Sequence, residues 1–270
     1  MKKLLCVLGV AGIVFAESAL NWSTLEVRVT VPNQPLEAEP GKEVVAASIL
    51  DALKPACFDA EMTVEEFWAR NPMAEAKIGK FTVFPKKVQT RFLSDGSAEL
   101  EYEIPLTGPI LDGLMPETGG GKPLTPMCCP VCKRTWPEGE PVPPGVSLVP
   151  KEEEHPIPYT GVLVDARGLG LNPAFFPKIS NEDGMETYGL DFVLRPYAVE
   201  RGLVSYVYST QEAYQSERLG MNPLRITALR SKGRNRTDLV IANPDAQKLH
   251  SSQWSLRLLE RCQVVVLIDR

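Results

Sequence analysis

Residues 115–158 read MPETGGGKPLTPMCCPVCKRTWPEGEPVPPGVSLVPKEEEHPIP, and this stretch divides the chain. Eleven of the 24 prolines and three of the six cysteines lie in it. Proline lacks an amide hydrogen and fixes φ, so such a run carries neither a long helix nor a central strand. Hydrophobic patterning typical of packed structure resumes on both sides. The reading is two small α/β domains, each with its own core. An α+β domain with a β-hairpin covers residues 17–114, and an α/β domain covers residues 159–270. Residues 115–158 form a rigid Pro/Gly/Cys-rich connector that holds them at a set separation. A chain of 270 residues is long enough for two such domains.

The chain begins MKKLLCVLGVAGIVFAES. Lys2 and Lys3 precede an apolar run over residues 4–15, and Val14 and Ala16 occupy the −3 and −1 places of a signal-peptidase site. Residues 1–16 therefore read as a secretory signal peptide whose removal leaves Glu17 first. The run is too short for a membrane-spanning helix, which needs roughly 20 residues. Cys6 has almost no apolar stretch before it, so it does not read as a lipid-anchor cysteine. The expected location is the periplasm or cell envelope, with no transmembrane span after cleavage. Of 29 basic residues the leader takes two lysines, leaving 27 against 34 acids and a net charge of −7. An acidic chain has no sequence-wide electrostatic reason to bind nucleic acid.

In the N-terminal half, Leu25, Val27, Val29 and Val31 alternate with polar residues, as in a half-buried strand. Val45, Ile49 and Leu53 form a helical stripe that ends before Pro55. Thr63 with Glu66 has the spacing of a capping box opening a second helix, and Asn71-Pro72 reads as an N-cap and first-turn proline. Val88, Thr90 and Phe92 alternate up to Asp95-Gly96, and Ala98, Leu100, Tyr102, Ile104 and Leu106 alternate beyond it. An Asp-Gly between alternating runs marks a β-hairpin. The intervening Glu99, Glu101 and Glu103 read as a solvated sheet face.

The order of a helix, the DAEMTVEEFWARN segment and the FLSDGSAELEYEIPLTG hairpin resembles the lipoprotein-20 family of bacterial envelope proteins. Its relatives include flagellum-associated outer-membrane proteins. The resemblance covers roughly residues 36–115. It implies a role in envelope structure or assembly, with no catalytic residues to carry over. The missing lipidation cysteine departs from the family pattern.

The C-terminal half has strand candidates at residues 162–164, 203–208, 224–229, 239–242 and 264–268. The last is apolar without alternation, as in a strand buried on both faces. Asn243-Pro244-Asp245 reads as the start of one helix through about residue 259. Strands alternating with helices suggest an α/β fold. The wording GVLVDARGLG and GRNRTDLVIAN resembles a C-terminal module, of no assigned activity, that accompanies such envelope domains.

Candidate chemistry is sparse. Cys129 and Cys132 have the two-residue spacing of a zinc knuckle, but no second pair follows. Bound zinc, zinc shared between two chains, a disulfide and free thiols all remain readings of these cysteines. A thioredoxin-like motif would need the pair at a helix start, which a proline-rich connector does not offer. Cys128 is the immediate neighbour; Cys57, Cys262, His155 and His250 are distant in sequence. Gly119 to Lys122 lacks the glycine and hydroxyl residue of a phosphate loop. Asp165, Arg167, Asp183, Asp238 and Asp269 are the polar residues most suggestive of an active site. Asp165 and Asp269 end predicted strands, where open α/β sheets place ligands. Such carboxylates could bind Mg²⁺ or serve in acid–base catalysis, or they could cap turns. Arg225, Arg230, Lys232, Arg234 and Arg236 could contact an anionic envelope polymer or simply be solvated. Trp136 could dock the connector onto a domain face.

The resulting expectation is a non-enzymatic exported envelope protein. Its role would be structural or in assembly, as an accessory of a flagellar or surface apparatus, with envelope proteins or a second copy as partners. No cofactor is expected. One alternative is an envelope hydrolase or metal-dependent enzyme using Asp165. Another is thiol or zinc handling at Cys129 and Cys132.

Overall fold

The computed structural model describes residues 18–35, 40–82, 85–116, 121, 124, 126–137, 140–151 and 157–270. Residues 1–16, read as a signal peptide, His155 and most of the Gly119–Lys122 run lie outside these. The first sheet is antiparallel. Strands β1 (Ser18–Asn21) and β2 (Glu26–Pro35) form its first hairpin. Three helices follow: α1 (Lys42–Leu53), α2 (Val64–Arg70) and α3 (Pro72–Gly79). The chain then makes β3 (Lys86–Phe92), β4 (Ser97–Pro105) and α4 (Pro109–Leu114). The strand order is β1-β2-β4-β3. Val27, Val29 and Val31 of β2 and Leu100, Tyr102 and Ile104 of β4 are buried, and so are Val45, Ile49 and Leu53 along α1, which packs on β2.

Local chemistry explains most of these elements. The expected capping box is present: Thr63 Oγ1 accepts the Glu66 amide at 3.3 Å, and Glu66 Oε2 accepts the Thr63 amide at 2.9 Å. Such a cap contributes about 1 kcal/mol. Asn71 does not cap α3 with its side chain; its Nδ2 instead donates to Phe67 O at 3.1 Å, closing α2. The hairpin turn forms with Gly96 at φ 83°. Alternation in β3, however, does not mark a buried face. The register slips between Lys87 and Gln89, so Val88 is the extra residue of a bulge, and β3 lies at the sheet edge with Phe92 69% exposed. The glutamate row is half-buried and paired with arginines. Arg28 reaches Glu103 at 2.6 Å, and Arg91 reaches Glu99 at 3.4 Å.

The connector contributes a short antiparallel pair, β5 (Met127–Cys128) and β6 (Val149–Pro150). The second domain opens with β7 (Val162–Asp165), β8 (Ile179–Ser180) and β9 (Glu186–Tyr188). Next come α5 (Arg195–Arg201), β10 (Ser205–Val207), α6 (Thr210–Gln215), β11 (Leu224–Lys232) and β12 (Asp238–Ile241). Helices α7 (Asn243–Leu249) and α8 (Gln253–Glu260) lead into β13 (Val264–Leu267). The strand order is β10-β13-β7-β11-β12-β8-β9. The first four are mutually parallel, β12 runs against β11, and β8 follows β12. All four residues of β13 are buried, as its unbroken apolar pattern requires.

The single helix expected over 243–259 is two. His250 and Ser251 break it, and Ser252 restarts it by accepting the Ser255 amide at 3.0 Å. Asn243 lies inside α7 rather than capping it, and its Nδ2 donates to Asp183 at 3.1 Å.

The two α/β domains are not held apart with separate cores. One contiguous hydrophobic cluster contains Val29, Ile49 and Leu100 of the first and Phe175, Tyr206 and Val266 of the second. Trp22 packs on Phe175 and Tyr206, with ring centroids 5.0 and 5.9 Å away. Phe175 and Phe176 amides donate to Cys57 O and Phe58 O at 3.1 and 2.9 Å. Arg195 Nε donates to Asp112 Oδ1 at 2.9 Å and its Nη2 to Asp112 O at 2.9 Å, fixing α5 to the end of α4.

Candidate functional site at the carboxyl edge of the C-terminal sheet

Asp165 ends β7, which lies between β11 and β13 and pairs there with Thr227 and Leu267. Asp269 follows two residues after Leu267, so the two carboxylates share one edge of the sheet on neighbouring strands. Both are engaged in local structure. Arg167 forms a two-pronged pair with Asp165, Nε to Oδ1 at 2.9 Å and Nη2 to Oδ2 at 2.6 Å. The Arg167 amide adds a bond to Oδ1 at 3.2 Å. The hydrogen bonds from Arg167 hold the Asp165 carboxyl below the usual range and so keep it ionised. Asp269 Oδ2 accepts the Gly168 amide at 2.7 Å, at a turn where Gly168 takes φ 76°. This arrangement anchors the turn after β7.

The other predicted site residues lie elsewhere. Asp183 follows β8, which runs opposite to β7, so it sits at the far edge of the sheet, bonded to Asn243. Asp238 starts β12 and accepts the Lys178 amide at 2.9 Å. Burial pushes its carboxyl up to about 6. The basic stretch is partly consumed by packing. Arg234 pairs with Glu66 at 2.9 Å across the domain seam. Arg236 donates to Leu169 O at 2.5 Å, and Arg225 lies over the Tyr214 ring at 5.2 Å.

A concavity that no motif announced opens nearby, at the seam between domains. A groove of ≈ 470 Å³ is lined by Asn21 and Ser23 from one domain and by Ser205, Tyr208, Glu212 and Gln215 from the other. A second hollow of ≈ 340 Å³ shares Ser23 and Ser205 and reaches Arg201 and Arg218. Arg218 Nη1 donates to Gly202 O and Cys262 O at 3.1 and 2.9 Å, so this guanidinium also serves as a brace. Serines, asparagine and glutamine at scattered positions carry no sequence signal; they meet where Trp22 packs on Tyr206 across the seam.

Cys129 and Cys132 occupy a tight turn within the connector. The Cys129 amide donates to Arg134 O at 2.9 Å, the Lys133 amide donates to Cys129 O at 2.9 Å, and Lys133 takes the left-handed φ of 58°. Amides of Cys132 and Val131 donate to the Cys129 sulfur, which pulls its thiol below the ordinary range. Cys128 is buried, its thiol directed at Pro126 O. Trp136 Nε1 donates to Glu140 O at 3.1 Å, within the connector. Gly121 of the glycine run packs on the Phe192 ring and donates to Asp191 O at 2.6 Å. Among the described residues, no group of three or more His, Cys, Asp or Glu side chains gathers as a metal site. No helix among them is long and apolar enough to cross a membrane.

Residues 161–270 match the family model described as Treponema pallidum Tp0624, second domain. The matched stretch begins immediately before β7 and runs to the last residue. It gives no support to a lipoprotein-20 or flagellar connection for residues 36–115. A comparison with curated proteins returns no match.

Proposed function

We propose that this chain is a non-enzymatic, exported structural or assembly protein of the cell envelope that works through protein–protein contact. The observation that carries this reading is the β3 edge. β3 pairs with β4 on one side, and among the described residues no strand adds to its other side, where Val88 and Phe92 are exposed near Lys86 and Arg91. Exposed apolar side chains on a free strand edge suit the addition of a partner strand. The fused core gives that edge a firm base. The turn-anchoring roles of Asp165 and Asp269 favour contact over hydrolysis at the sheet edge. Export rests on the pattern of residues 1–16, and the envelope setting on the lipoprotein-20 resemblance.

The test combines location and contact. Intact mass of the protein from its native cells should show a chain beginning at Glu17 in the envelope fraction. Site-specific cross-linking from β3 should capture an envelope protein, and Phe92→Asp should abolish capture without lowering the melting temperature. A cytoplasmic chain retaining residues 1–16 would overturn the export reading. Turnover of an envelope substrate that is lost in Asp165→Asn would replace it with the hydrolase reading.

A further inference from the structure

We propose that Cys129 and Cys132 hold one Zn²⁺ jointly with the same pair from a second copy of this chain. Three features of the connector turn point there. The first is preorganisation. A tetrahedral thiolate site needs two sulfurs on adjacent corners, and Cys129 and Cys132 stand two residues apart on one closed turn. The bonds from Cys129 N to Arg134 O and from Lys133 N to Cys129 O close the turn, and the Cys128–Thr135 bridge locks its base. The turn therefore needs no metal to form.

The second feature is that, among the described residues of one copy, no third ligand joins the pair. Successive strand residues point to opposite faces, and Cys128 accordingly turns inward to Pro126 O and supplies no third ligand. The Lys151 amide donates to Pro126 O, at the end of β5 opposite the turn. Two thiolates thus stand at the tip, where Cys132 is exposed.

The third feature selects a second copy as the occupant. Four thiolates around Zn²⁺ carry a net negative charge, and Lys133 and Arg134 stand next to the ligands in each copy, both exposed. Val131, 89% exposed at the tip, is an apolar side chain that two abutting turns would cover. A two-fold axis through the metal brings both pairs of cations and both valines together.

The test uses the reduced full chain equilibrated with Zn²⁺ and freed of excess. Light scattering and elemental analysis should find a dimer with one zinc per two chains, and a strong chelator should return monomer. Co²⁺ in place of Zn²⁺ should show the absorption of a tetrahedral four-thiolate site. Cys129→Ser and Cys132→Ser should each weaken zinc retention more than about 100-fold and abolish the dimer. Their melting temperatures should match the metal-free wild type, showing intact folds, and Cys128→Ser should keep both zinc and dimer. The proposal is overturned by one zinc per monomeric chain, by zinc loss in His155→Ala, or by a reduced chain that retains no zinc.

Discussion

Asp238 accepts the Lys178 amide while half-buried, and its carboxyl is raised to about 6 against about 3.9 in an unfolded chain. The native state thus holds this proton more tightly. The contribution is favourable below about pH 4 and is lost as pH rises through about 6. Asp238→Asn keeps the acceptor and removes the charge, so it should stabilise the protein at pH 7.5 by about 1–2 kcal/mol, allowing for partial exposure. Urea titrations at pH 7.5 and 4 check this: the gain should vanish at the lower pH. His250 acts in the opposite sense. It is fully buried, Nε2 donates to Thr187 O at 2.7 Å, and Nδ1 accepts the Leu124 amide at 2.8 Å. Desolvation lowers its pKa below 6.5, so the neutral ring's contribution is present above that value and lost as pH falls from there toward the native pKa. Thermal melts should show a loss as pH falls below about 6.5 that His250→Gln largely removes. Neither behaviour is written in the sequence, where both residues are isolated polar positions.

The turn between β11 and β12 packs directly on the first domain. Gly233 takes φ 88°, and a Cβ there would meet Ala60 of the other domain well inside contact distance. Beside it, Asn235 N donates to Ala60 O at 2.9 Å and Asn235 Nδ2 to Asp59 O at 3.1 Å. Gly233→Ala combines backbone strain with overpacking, and a loss of about 2–3 kcal/mol is expected in chemical denaturation. Gly220→Ala probes the same φ region away from this seam and should not separate the domains. Elements with strong local chemistry were legible in advance: the Thr63–Glu66 cap, the Asp95-Gly96 hairpin and the apolar β13. The break at His250 was missed, although the polar run His250–Gln253 interrupts the apolar pattern and Ser252 offers an N-cap. At the break, His250 Nε2 donates to Thr187 O.

For the whole molecule, the connector and the fused core make different demands. Protease should cut between residues 115 and 158, where most described side chains are exposed. The fragments should nevertheless co-elute, because Trp22, Phe58, Phe175 and Tyr206 belong to one core. Denaturation should be a single transition in both the intact and the nicked chain. Fragments that separate in buffer, or two resolved transitions, would show that the seam is weak and each sheet stands alone.

Local pattern alone determined the two α/β domains, the proline-rich division between them and most strand positions. These follow from short-range rules of periodicity, proline geometry and capping that need no knowledge of partners. The Cys129–Cys132 turn was likewise legible as a spacing. Tertiary structure decided the fused core, the seam groove, and the fate of Asp165 and Asp269 as turn anchors. Each depends on which surfaces meet across more than a hundred residues of chain, and a side chain's partners at that range leave no imprint on its neighbours in sequence.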